Sequence, residues 1–299
     1  MKVWRIHIKN DVEDGYTRKD LLEFCLQNNL IGVGWNDIKT RADSVSEIKK
    51  EAQSYSNATA GFKAVNAMRQ MNLDDLIWTR LDGIYYLCRV TGLWKDSRPD
   101  KKHYSLDISN YVNVEWLKIG TEDLVPGKVV SSFRPAASAQ CINGVEEITA
   151  YLWNKYSKTD KYERTSEKMD IWNVLSAESI EELVLLYLQV KEKYYIYSTT
   201  MKFTTKEYEC VMVNENGIRA FPQVKSGAVS LSADDYMDAV NLDPKAQIFL
   251  FSASEDYKRN NCDNIHYLKK KDLETFIVEY RTILPSLTES WIDLCNFFN

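Results

Sequence analysis

Two apolar runs joined by a short polar turn stand out in the second half of the chain: YECVMV at residues 208–213, NENG at 214–217 and AFPQVKSG at 220–227. The runs are short and rich in valine and aromatic residues, and an Asn-Gly pair favours a tight turn, so the pattern predicts two neighbouring β-strands. Glu209 opens the first strand, and Gln223 and Lys225 stand near the end of the second. Because side chains alternate along a strand, Gln223 and Lys225 point to the same face.

This combination of a carboxylate, an amide and an ammonium group is what metal-dependent phosphodiester cleavage requires. A divalent cation held by oxygen ligands activates water, and a lysine stabilises the charge that develops on the phosphate. Carboxylate and amide oxygens suit Mg²⁺ or Mn²⁺. We expect Glu209 and Gln223 to hold the cation, Lys225 to face the phosphate, and Glu182 of the preceding helical run to add a second carboxylate. The stretch therefore predicts a nuclease.

Each of these residues also has a purely structural interpretation. Glu182 follows Ser179 by three residues, which is the spacing of a helix capping box. Glu209 fits a solvated strand residue, and Lys225 fits an ordinary strand end. Gln223 is the hardest to explain in this way, because a polar side chain in an apolar strand needs a partner.

Composition limits the class of protein. A chain of 299 residues favours two domains, and 44% hydrophobic and 27% charged residues are ordinary globular values. No apolar run reaches the ~18 residues of a membrane span, and the N-terminus has no signal-peptide pattern, so we expect a cytoplasmic protein without membrane contact. The six cysteines form no C-x-x-C pair, which disfavours a structural zinc site.

Charge and periodicity place the domain boundary. The net charge of −5 excludes a generally basic nucleic-acid binder. Residues 1–155 carry 21 Lys+Arg and 20 Asp+Glu, and the rest of the chain carries 17 and 23. Residues 156–172 are charged with little apolar periodicity, which predicts a linker between domains at 1–155 and 173–299.

The predicted elements indicate an α+β or α/β fold in both domains. In the first, strands are predicted at 3–8, 31–35, 76–80, 84–90, 111–116 and 128–133, and helices at 17–28 and within 43–70. Short strands with glycine turns, such as Asp82-Gly83, predict a small mixed β-barrel. In the second, helices are predicted at 179–191, 232–241, 271–280 and near the C-terminus, and strands at 194–198, 208–213, 218–225 and 246–251. That order predicts an α/β sandwich around a central mixed sheet.

The segment from about 176 to 280 resembles the PD-(D/E)xK nuclease superfamily, particularly its Mrr-like, restriction-endonuclease branch. The matching runs are EELVLLYLQ at 181–189, YECV at 208–211 and QVKSG at 223–227. In that family the strand acid is usually Asp and the paired motif is often Glu-x-Lys, whereas Glu209 and Gln223 stand at these positions here. The resemblance implies metal-dependent hydrolysis carried by Glu209, Gln223 and Lys225.

Residues 1–155 resemble the PUA-like group, closest to EVE-type domains. The runs that carry the resemblance are IGVGW at 31–35, DDLIWTR at 74–80, YYLCRVTG at 85–92 and VNVEW at 112–116. The resemblance implies a barrel whose aromatic pocket accepts a modified base. Six of the eight tryptophans precede the linker, and such rings either stack on an extruded base or pack the barrel core. Trp35, Trp78 and Trp94 are the pocket candidates.

Together the two resemblances imply a modification-dependent DNA endonuclease of a restriction or antiviral defence system. Its cofactor would be Mg²⁺ or Mn²⁺, its partner DNA carrying a modified base, and its assembly a homodimer, since double-strand cleavage needs two active sites. Two alternatives stay open. One is a nucleic-acid-binding protein with a degenerate nuclease domain, because glutamine replaces a carboxylate at Gln223. The other is an RNA-directed nuclease, because related barrels also bind RNA.

Overall fold

The computed structural model describes residues 1–36, 45–97, 100–163, 170–202, 208–226 and 229–295. The chain divides into two compact units, Met1–Ser166 and Glu167–Asn299, and each unit has its own buried apolar clusters. Residues 164–169 of the predicted linker and Gly227 of the predicted motif lie outside the described residues. Within the described part of the chain, no helix is long and apolar enough to cross a membrane.

The first unit is built on a curled, mixed sheet of six strands. The strands are β1 (Val3–Ile6), β2 (Leu30–Val33), β3 (Leu76–Leu81), β4 (Ile84–Asp96), β5 (Asn110–Gly120) and β6 (Ala139–Cys141). Their order is β2-β5-β4-β3-β1-β6, with β1 parallel to β3 and antiparallel to β6. Asp82 and Gly83 join β3 to β4 with φ of 49° and 78°, the left-handed conformation that a tight hairpin turn requires.

Helices and short helical turns pack around this sheet. The α-helices are α1 (Arg18–Asn28), α2 (Val45–Glu51), α3 (Ala58–Arg69), α4 (Lys101–Ser105), α5 (Gly127–Ser132) and α6 (Glu146–Ser157). Thr17 caps α1 through a reciprocal box with Asp20, which fixes the start of the predicted helix. The buried residues of α3 pack with Trp4, Ile31 and Val90 in the main core of the unit.

The predicted strand at residues 128–133 is wrong, because this segment forms α5. The valine pair Val129-Val130 favours a strand locally. Pro126 precedes the first turn, and Val129 and Phe133, four residues apart, are buried on one helical face. The Phe133 ring then packs edge-on against His7 and Tyr85, so tertiary packing overrides the local strand preference.

The first unit continues past residue 155 into the predicted linker. The backbone N–H of Tyr162 donates to Asn154 Oδ1, and Asn154 Nδ2 donates to the carbonyl of Tyr162 at 2.7 Å. The Tyr162 hydroxyl donates to the carbonyl of Asp74 at 2.9 Å, and Lys161 pairs with the Asp74 carboxylate. Residues after α6 therefore pack on the first unit.

The second unit has a five-stranded mixed sheet with apolar clusters on both faces. The seven strands of the unit are β7 (Tyr195–Ile196), β8 (Met212–Val213), β9 (Arg219–Lys225), β10 (Leu231–Ser232), β11 (Gln247–Ser252), β12 (Tyr257–Lys258) and β13 (Ile265–Tyr267). Its helices are α7 (Ile171–Val174), α8 (Ala177–Val190), α9 (Met237–Leu242), α10 (Lys270–Glu279) and α11 (Ser286–Leu294). The sheet order is β13-β11-β9-β8-β7, with β13, β11 and β9 parallel, and β10 pairs separately with β12. The predicted mixture of helices and strands is confirmed in both units.

Candidate functional site

Pro222 determines where the predicted acidic residue lies. Strand β8 pairs with β9 only at Met212–Ala220 and Val213–Arg219, so the strand predicted over 208–213 is shorter than expected. Pro222 accepts a hydrogen bond from the backbone N–H of Glu209 but has no N–H to return it, which interrupts the ladder at that point. Glu209 therefore lies in an irregular segment beside the middle of β9.

The Glu209 side chain hydrogen-bonds to β9 where the backbone ladder between β8 and β9 is interrupted. Its Oε1 accepts from Gln223 Nε2 at 2.8 Å and from the backbone N–H of Val224 at 3.3 Å. Gln223 is 2% exposed, and its Oε1 is buried without a hydrogen-bond donor among the described residues. Since a buried acceptor without a donor is costly, this oxygen is chemically suited to accept from a water molecule or to coordinate a cation.

Lys225 follows on the same face of β9. Alternation places Phe221, Gln223 and Lys225 on one face, and Phe221 belongs to the apolar cluster that contains Ile248 and Leu250 of β11. Ala220 and Val224 point to the opposite face, which packs against α8 and α10. Lys225 is half-buried, and its ammonium forms no ion pair with any described residue.

Helix α8 brings Glu181 to this site, a residue that the sequence analysis did not select. Burial raises the pKa of Glu181, and the negative charge of Glu209 is the next largest contribution, while Lys225 lowers it. Burial alone raises the pKa of Glu182, with no contribution from Glu209 or Lys225. Of these two acids, Glu181 is thus the one whose charge interacts with Glu209 and Lys225.

The orientation of α8, set by the packing of its apolar face, explains this difference. Ser176 caps the helix by accepting from the backbone N–H of Ser179 at 3.1 Å, so Ala177 is the first helical residue. The predicted capping box of Ser179 and Glu182 does not form. Two adjacent helical residues point about 100° apart, so only one of Glu181 and Glu182 can face Glu209.

The donor set fits a hard divalent cation. The described residues contain no group of three His, Cys, Asp or Glu side chains that could hold a metal ion. The site instead offers two carboxylates, Glu209 and Glu181, and the unpartnered amide oxygen of Gln223. Mg²⁺ commonly takes one or two carboxylates together with water and phosphate oxygens, so the Glu209 carboxylate and the Gln223 amide oxygen fit its chemistry. Glu181, on the helix that packs against the opposite face of β9, adds a second negative charge near Glu209.

The first unit contains a cavity of about 410 Å³ that includes one of the three predicted pocket tryptophans. The lining residues are His7, Lys9, Asn10, Asp11, Val33, Gly34, Trp35, Asn36, Tyr55, Ser56, Asn57, Tyr104, Asp107 and Ser138. Trp35 meets Tyr55 edge-on, with ring centroids 4.9 Å apart. Trp35 has φ of 62°, and a Cβ at Gly61 would lie 2.7 Å from its ring, so Gly61 leaves the space that the indole fills.

The other two predicted pocket tryptophans lie elsewhere. Trp78 is fully buried, and its Nε1 donates to Thr149 of α6 at 3.2 Å. Trp94 packs at the edge of the main core, donates to Asn110 Oδ1 at 3.2 Å and lies under the guanidinium of Arg69. Neither lines the cavity, because strand position alone does not show which face of a curled sheet a side chain occupies.

Two titratable groups of the cavity have shifted pKa values. Burial raises the pKa of Asp107 to about 7. Burial, and then the positive charges of Lys9, Arg5, Arg80 and Arg18, lower the pKa of His7 to about 4. Neither residue stands out in the sequence, although the polar residues directly after an apolar run, as in Ile8-Lys9-Asn10-Asp11, are a signal for a site at this strand end.

Comparison with known proteins adds no assignment to either site. The chain matches no family model, and no curated protein or solved structure is significantly similar to it. The function is therefore argued from the geometry of the two sites.

Proposed function

We propose that this protein is a modification-dependent DNA endonuclease that hydrolyses phosphodiester bonds with Mg²⁺ or Mn²⁺. The observation that carries the proposal is the Glu209–Gln223 contact, with Lys225 on the same strand face and Glu181 close by. These groups are the oxygen ligands and the cation that phosphodiester hydrolysis needs, and they come together from three separate segments of the chain.

Each residue has a distinct role in this proposal. Glu209 and the Gln223 amide oxygen hold the divalent cation, which supplies Lewis-acid stabilisation of the phosphate when bound. Lys225 places a positive charge beside the phosphate oxygens, where negative charge builds up in the transition state. Glu181, whose pKa is raised, is the carboxylate best suited to accept a proton from the attacking water.

The cavity of the first unit supplies the recognition step. Trp35, Tyr55 and Tyr104 offer aromatic faces, and Asn10, Asn36 and Asp107 offer hydrogen-bonding groups, which is the combination that holds an extruded base. In this proposal the protein acts in the cytoplasm in restriction or antiviral defence. Two copies assemble as a homodimer to cut both strands.

A cleavage panel tests this function. The substrates are plasmid DNA with and without modified bases, and RNA of similar length, each with Mg²⁺, Mn²⁺ or a chelator. We expect metal-dependent cleavage of modified DNA by the wild type. Lys225→Ala should lose on the order of 10²-fold or more in rate while it still binds DNA, because the lysine acts on the transition state.

Lys271→Ala is the matched control, since Lys271 is an exposed lysine of α10 outside the site. It should cut at the wild-type rate. Equal cleavage rates for Lys225→Ala and the wild type would show that the active site does not include β9. Preferential cleavage of RNA would show that RNA, and not DNA, is the substrate.

A second candidate is a DNA-binding protein whose nuclease site no longer cuts. The observation in its favour is that Glu209 Oε1 already accepts hydrogen bonds from Gln223 Nε2 and the Val224 N–H, so this oxygen has a structural role. This candidate predicts selective binding of modified DNA without cleavage in any divalent metal. Calorimetric titration of wild type and Glu209→Ala with Mn²⁺ separates the two, because only an active site binds the metal through Glu209.

A further inference from the structure

The parallel strands β9, β11 and β13 of the second unit end at one edge of the sheet, and the Tyr257 hydroxyl joins two of these ends. It accepts from the backbone N–H of Ser252 at 2.9 Å and donates to the carbonyl of Leu268 at 2.8 Å. Lys225 is the register partner of Ser252, and its carbonyl accepts from the N–H of Ala253 at 2.9 Å. The three strand ends therefore form one continuous edge beside the proposed active site.

Arg259 lies at this edge on the same face of the sheet as Lys225. Its guanidinium is 4.7 Å from the centroid of the Tyr267 ring and 5.7 Å from that of the Tyr257 ring. Both tyrosines pack against the apolar cluster that contains Phe221, and alternation along β9 puts Phe221 and Lys225 on one face. The two rings therefore hold an exposed guanidinium on the Lys225 side of the sheet.

Arg259 differs from the other two arginines of the second unit in its acidic contacts. Arg219, at the opposite edge of the sheet, pairs with Asp243 at 2.8 Å, and Arg281 pairs with Asp293 at 2.6 Å. Arg259 forms no ion pair with any residue that the structure describes. A guanidinium that is stacked on aromatic rings and has no carboxylate partner is well placed to bind a phosphate.

The chain around Arg259 carries more cations than acids. Residues 254–260 and 267–272 together contain five lysine or arginine residues and three acids. Lys258 and Lys269 are exposed, and neither forms an ion pair with another described residue. This edge is therefore locally basic, although the second half of the chain is acidic as a whole.

Two of the three acids at this edge have backbone partners at the start of α10. Glu255 Oε1 accepts from the backbone N–H of Lys270 at 3.0 Å, and Asp272 Oδ2 accepts from that of Lys269 at 3.3 Å. The third acid, Asp256, is exposed. Because carboxylates at a helix N-terminus compensate the free N–H groups and the dipole of that helix, these two acids leave the lysine and arginine side chains available to a partner.

We infer that this edge binds the sugar–phosphate backbone of DNA next to the phosphate that Lys225 faces. Arg259, Lys258 and Lys269 contact the adjacent phosphates, because a row of cations without acidic partners complements a row of phosphates. The inference rests on the proposed nuclease function and names the surface that holds its substrate. Neighbouring strands lie ~4.8 Å apart and a DNA strand rises ~3.4 Å per nucleotide, so these contacts lie within about three nucleotides of the cut.

The salt dependence of DNA binding by the full-length protein tests the inference. The probe is a short duplex without modified bases, titrated in a chelator at several concentrations of NaCl. Each phosphate contact contributes about 0.9 to the slope of log K against log salt concentration. Arg259→Ala should therefore reduce the steepness of this slope by about 0.9, and the triple variant Lys258→Ala, Arg259→Ala, Lys269→Ala by about 2.7. Arg259→Lys keeps the charge and should keep the wild-type slope.

Lys245→Ala is the matched control, since Lys245 is an exposed lysine just before β11, at the opposite edge of the sheet. It should keep the wild-type slope, and thermal melts check that each variant is folded. The inference would be overturned by a wild-type slope in the triple variant, by equal effects of Arg259→Ala and Lys245→Ala, or by no binding of the duplex to the wild type.

Anionic vesicles identify the class of partner. Vesicles of equal parts phosphatidylserine and phosphatidylcholine present phosphates without the regular spacing of DNA. Binding to these vesicles that Arg259→Ala weakens, without any effect of Arg259→Ala on the duplex, would make the partner a lipid surface and overturn the inference.

The outcome for this edge is independent of the outcome for the nuclease, because the duplex is titrated without a divalent metal. Slopes that depend on Arg259 in a protein that cuts no substrate would refute the nuclease function and support the docking surface. Metal-dependent cleavage with an unchanged slope in the triple variant would support the nuclease and refute the surface.

Discussion

Gln223 contributes both to the stability of the fold and to the proposed metal site. Its Nε2 donates to Glu209, and this contact holds the acid against β9 across the gap that Pro222 leaves in the ladder. A carboxylate at this position could not donate, so it would repel Glu209 in the absence of a cation. The glutamine therefore stabilises the metal-free fold while it leaves one oxygen available.

Gln223→Glu should separate these two roles. In a chelator the variant should unfold at a lower temperature than the wild type, because two carboxylates then lie within hydrogen-bond distance of each other. Addition of Mn²⁺ should raise its melting temperature by more than that of the wild type, because the site gains an anionic ligand. Thermal melts with and without Mn²⁺ measure both effects.

Gln189→Glu is a suitable control for this experiment. Gln189 lies on α8, and its side chain contacts only the carbonyl of Leu185 among the described residues. We expect no change in its response to Mn²⁺. Identical Mn²⁺ shifts in Gln223→Glu and the wild type would mean that this glutamine is not a metal ligand.

Glu181 should make the stability of the protein depend on pH. Its pKa is raised above 4.5 in the folded state, so the folded protein binds more protons than the unfolded chain above that pH. Stability therefore falls as the pH rises through the folded pKa, and it stays lower at higher pH. Glu181→Gln should melt at a higher temperature than the wild type at about pH 8 in a chelator, and the difference should vanish near about pH 4.

Melts of Glu215→Gln across the same pH range provide the comparison. Glu215 is an exposed residue of the turn between β8 and β9, and its substitution should leave the pH profile unchanged. A Glu181→Gln profile parallel to that of the wild type would show that this carboxyl is not destabilised in the fold.

At the scale of single residues, the geometry of the hairpin follows from the sequence, and the orientation of α8 does not. Alternation along one strand is enough to put Gln223 and Lys225 on the same face, and Glu209 contacts Gln223. The helical acid depends on the phase of α8 to within one residue. The packing of α8 against the sheet decides which of two adjacent acids turns toward Glu209, so the sequence indicated Glu182, whereas the charge coupling to Glu209 is that of Glu181.

At the scale of the element, the N-terminal cap of α8 connects local sequence to the site. The Ser176 hydroxyl satisfies one of the free N–H groups of the first turn, and Glu181 lies just after that turn. Ser176→Ala should lower the free energy of unfolding by about 1 kcal/mol, the usual cost of losing a serine cap. Denaturant titration measures this change.

Ser179→Ala should cost less than Ser176→Ala, since the Ser179 hydroxyl contacts only that of Ser176 among the described residues. Glu182→Gln should leave the cap intact. A larger loss of unfolding free energy for Ser179→Ala than for Ser176→Ala would show that Ser179 and Glu182 form the capping box. The helix would then begin three residues later.

Other elements show which sequence signals were sufficient to predict a helix, strand or turn. The Asp82-Gly83 turn and the helices at 18–28 and 270–279 follow local rules, because each has its turn residues or caps within a few positions. The strand predicted over 128–133 is wrong because the Phe133 ring packs against His7 and Tyr85, which are distant in sequence. Strand β8 is short because of a proline on its partner, a signal that is visible only once the pairing is known.

At the scale of the whole molecule, the first unit should fold by itself. Among the described residues, the clusters around Trp4, Leu21 and Ile48 are built from this unit, so a protein of residues 1–166 should unfold cooperatively. It should also prefer modified over plain DNA, because the cavity lies entirely within it. Circular dichroism melts and DNA titrations measure the two properties. Residues 156–166 belong in this protein because Tyr162 and Lys161 contact Asp74.

Two tryptophan variants of residues 1–166 make the test specific. Trp35→Ala should stay folded and lose discrimination between modified and plain DNA, since stacking contributes ~1–3 kcal/mol per base. Trp78→Ala should destabilise the unit by ~3–5 kcal/mol, because Trp78 is fully buried. A folded Trp35→Ala variant that discriminates as well as its parent would exclude this ring from base recognition.

The position of β1 between β3 and β6 has a consequence for biosynthesis. Residues 3–6 are synthesised well before their partners at 76–78 and 139–141. During that interval an apolar strand has two open edges, and open edges pair readily with other chains. Translation of residues 7–139 is thus the period in which the nascent protein most needs a chaperone, and a premature stop before Ala139 would release a chain prone to aggregation.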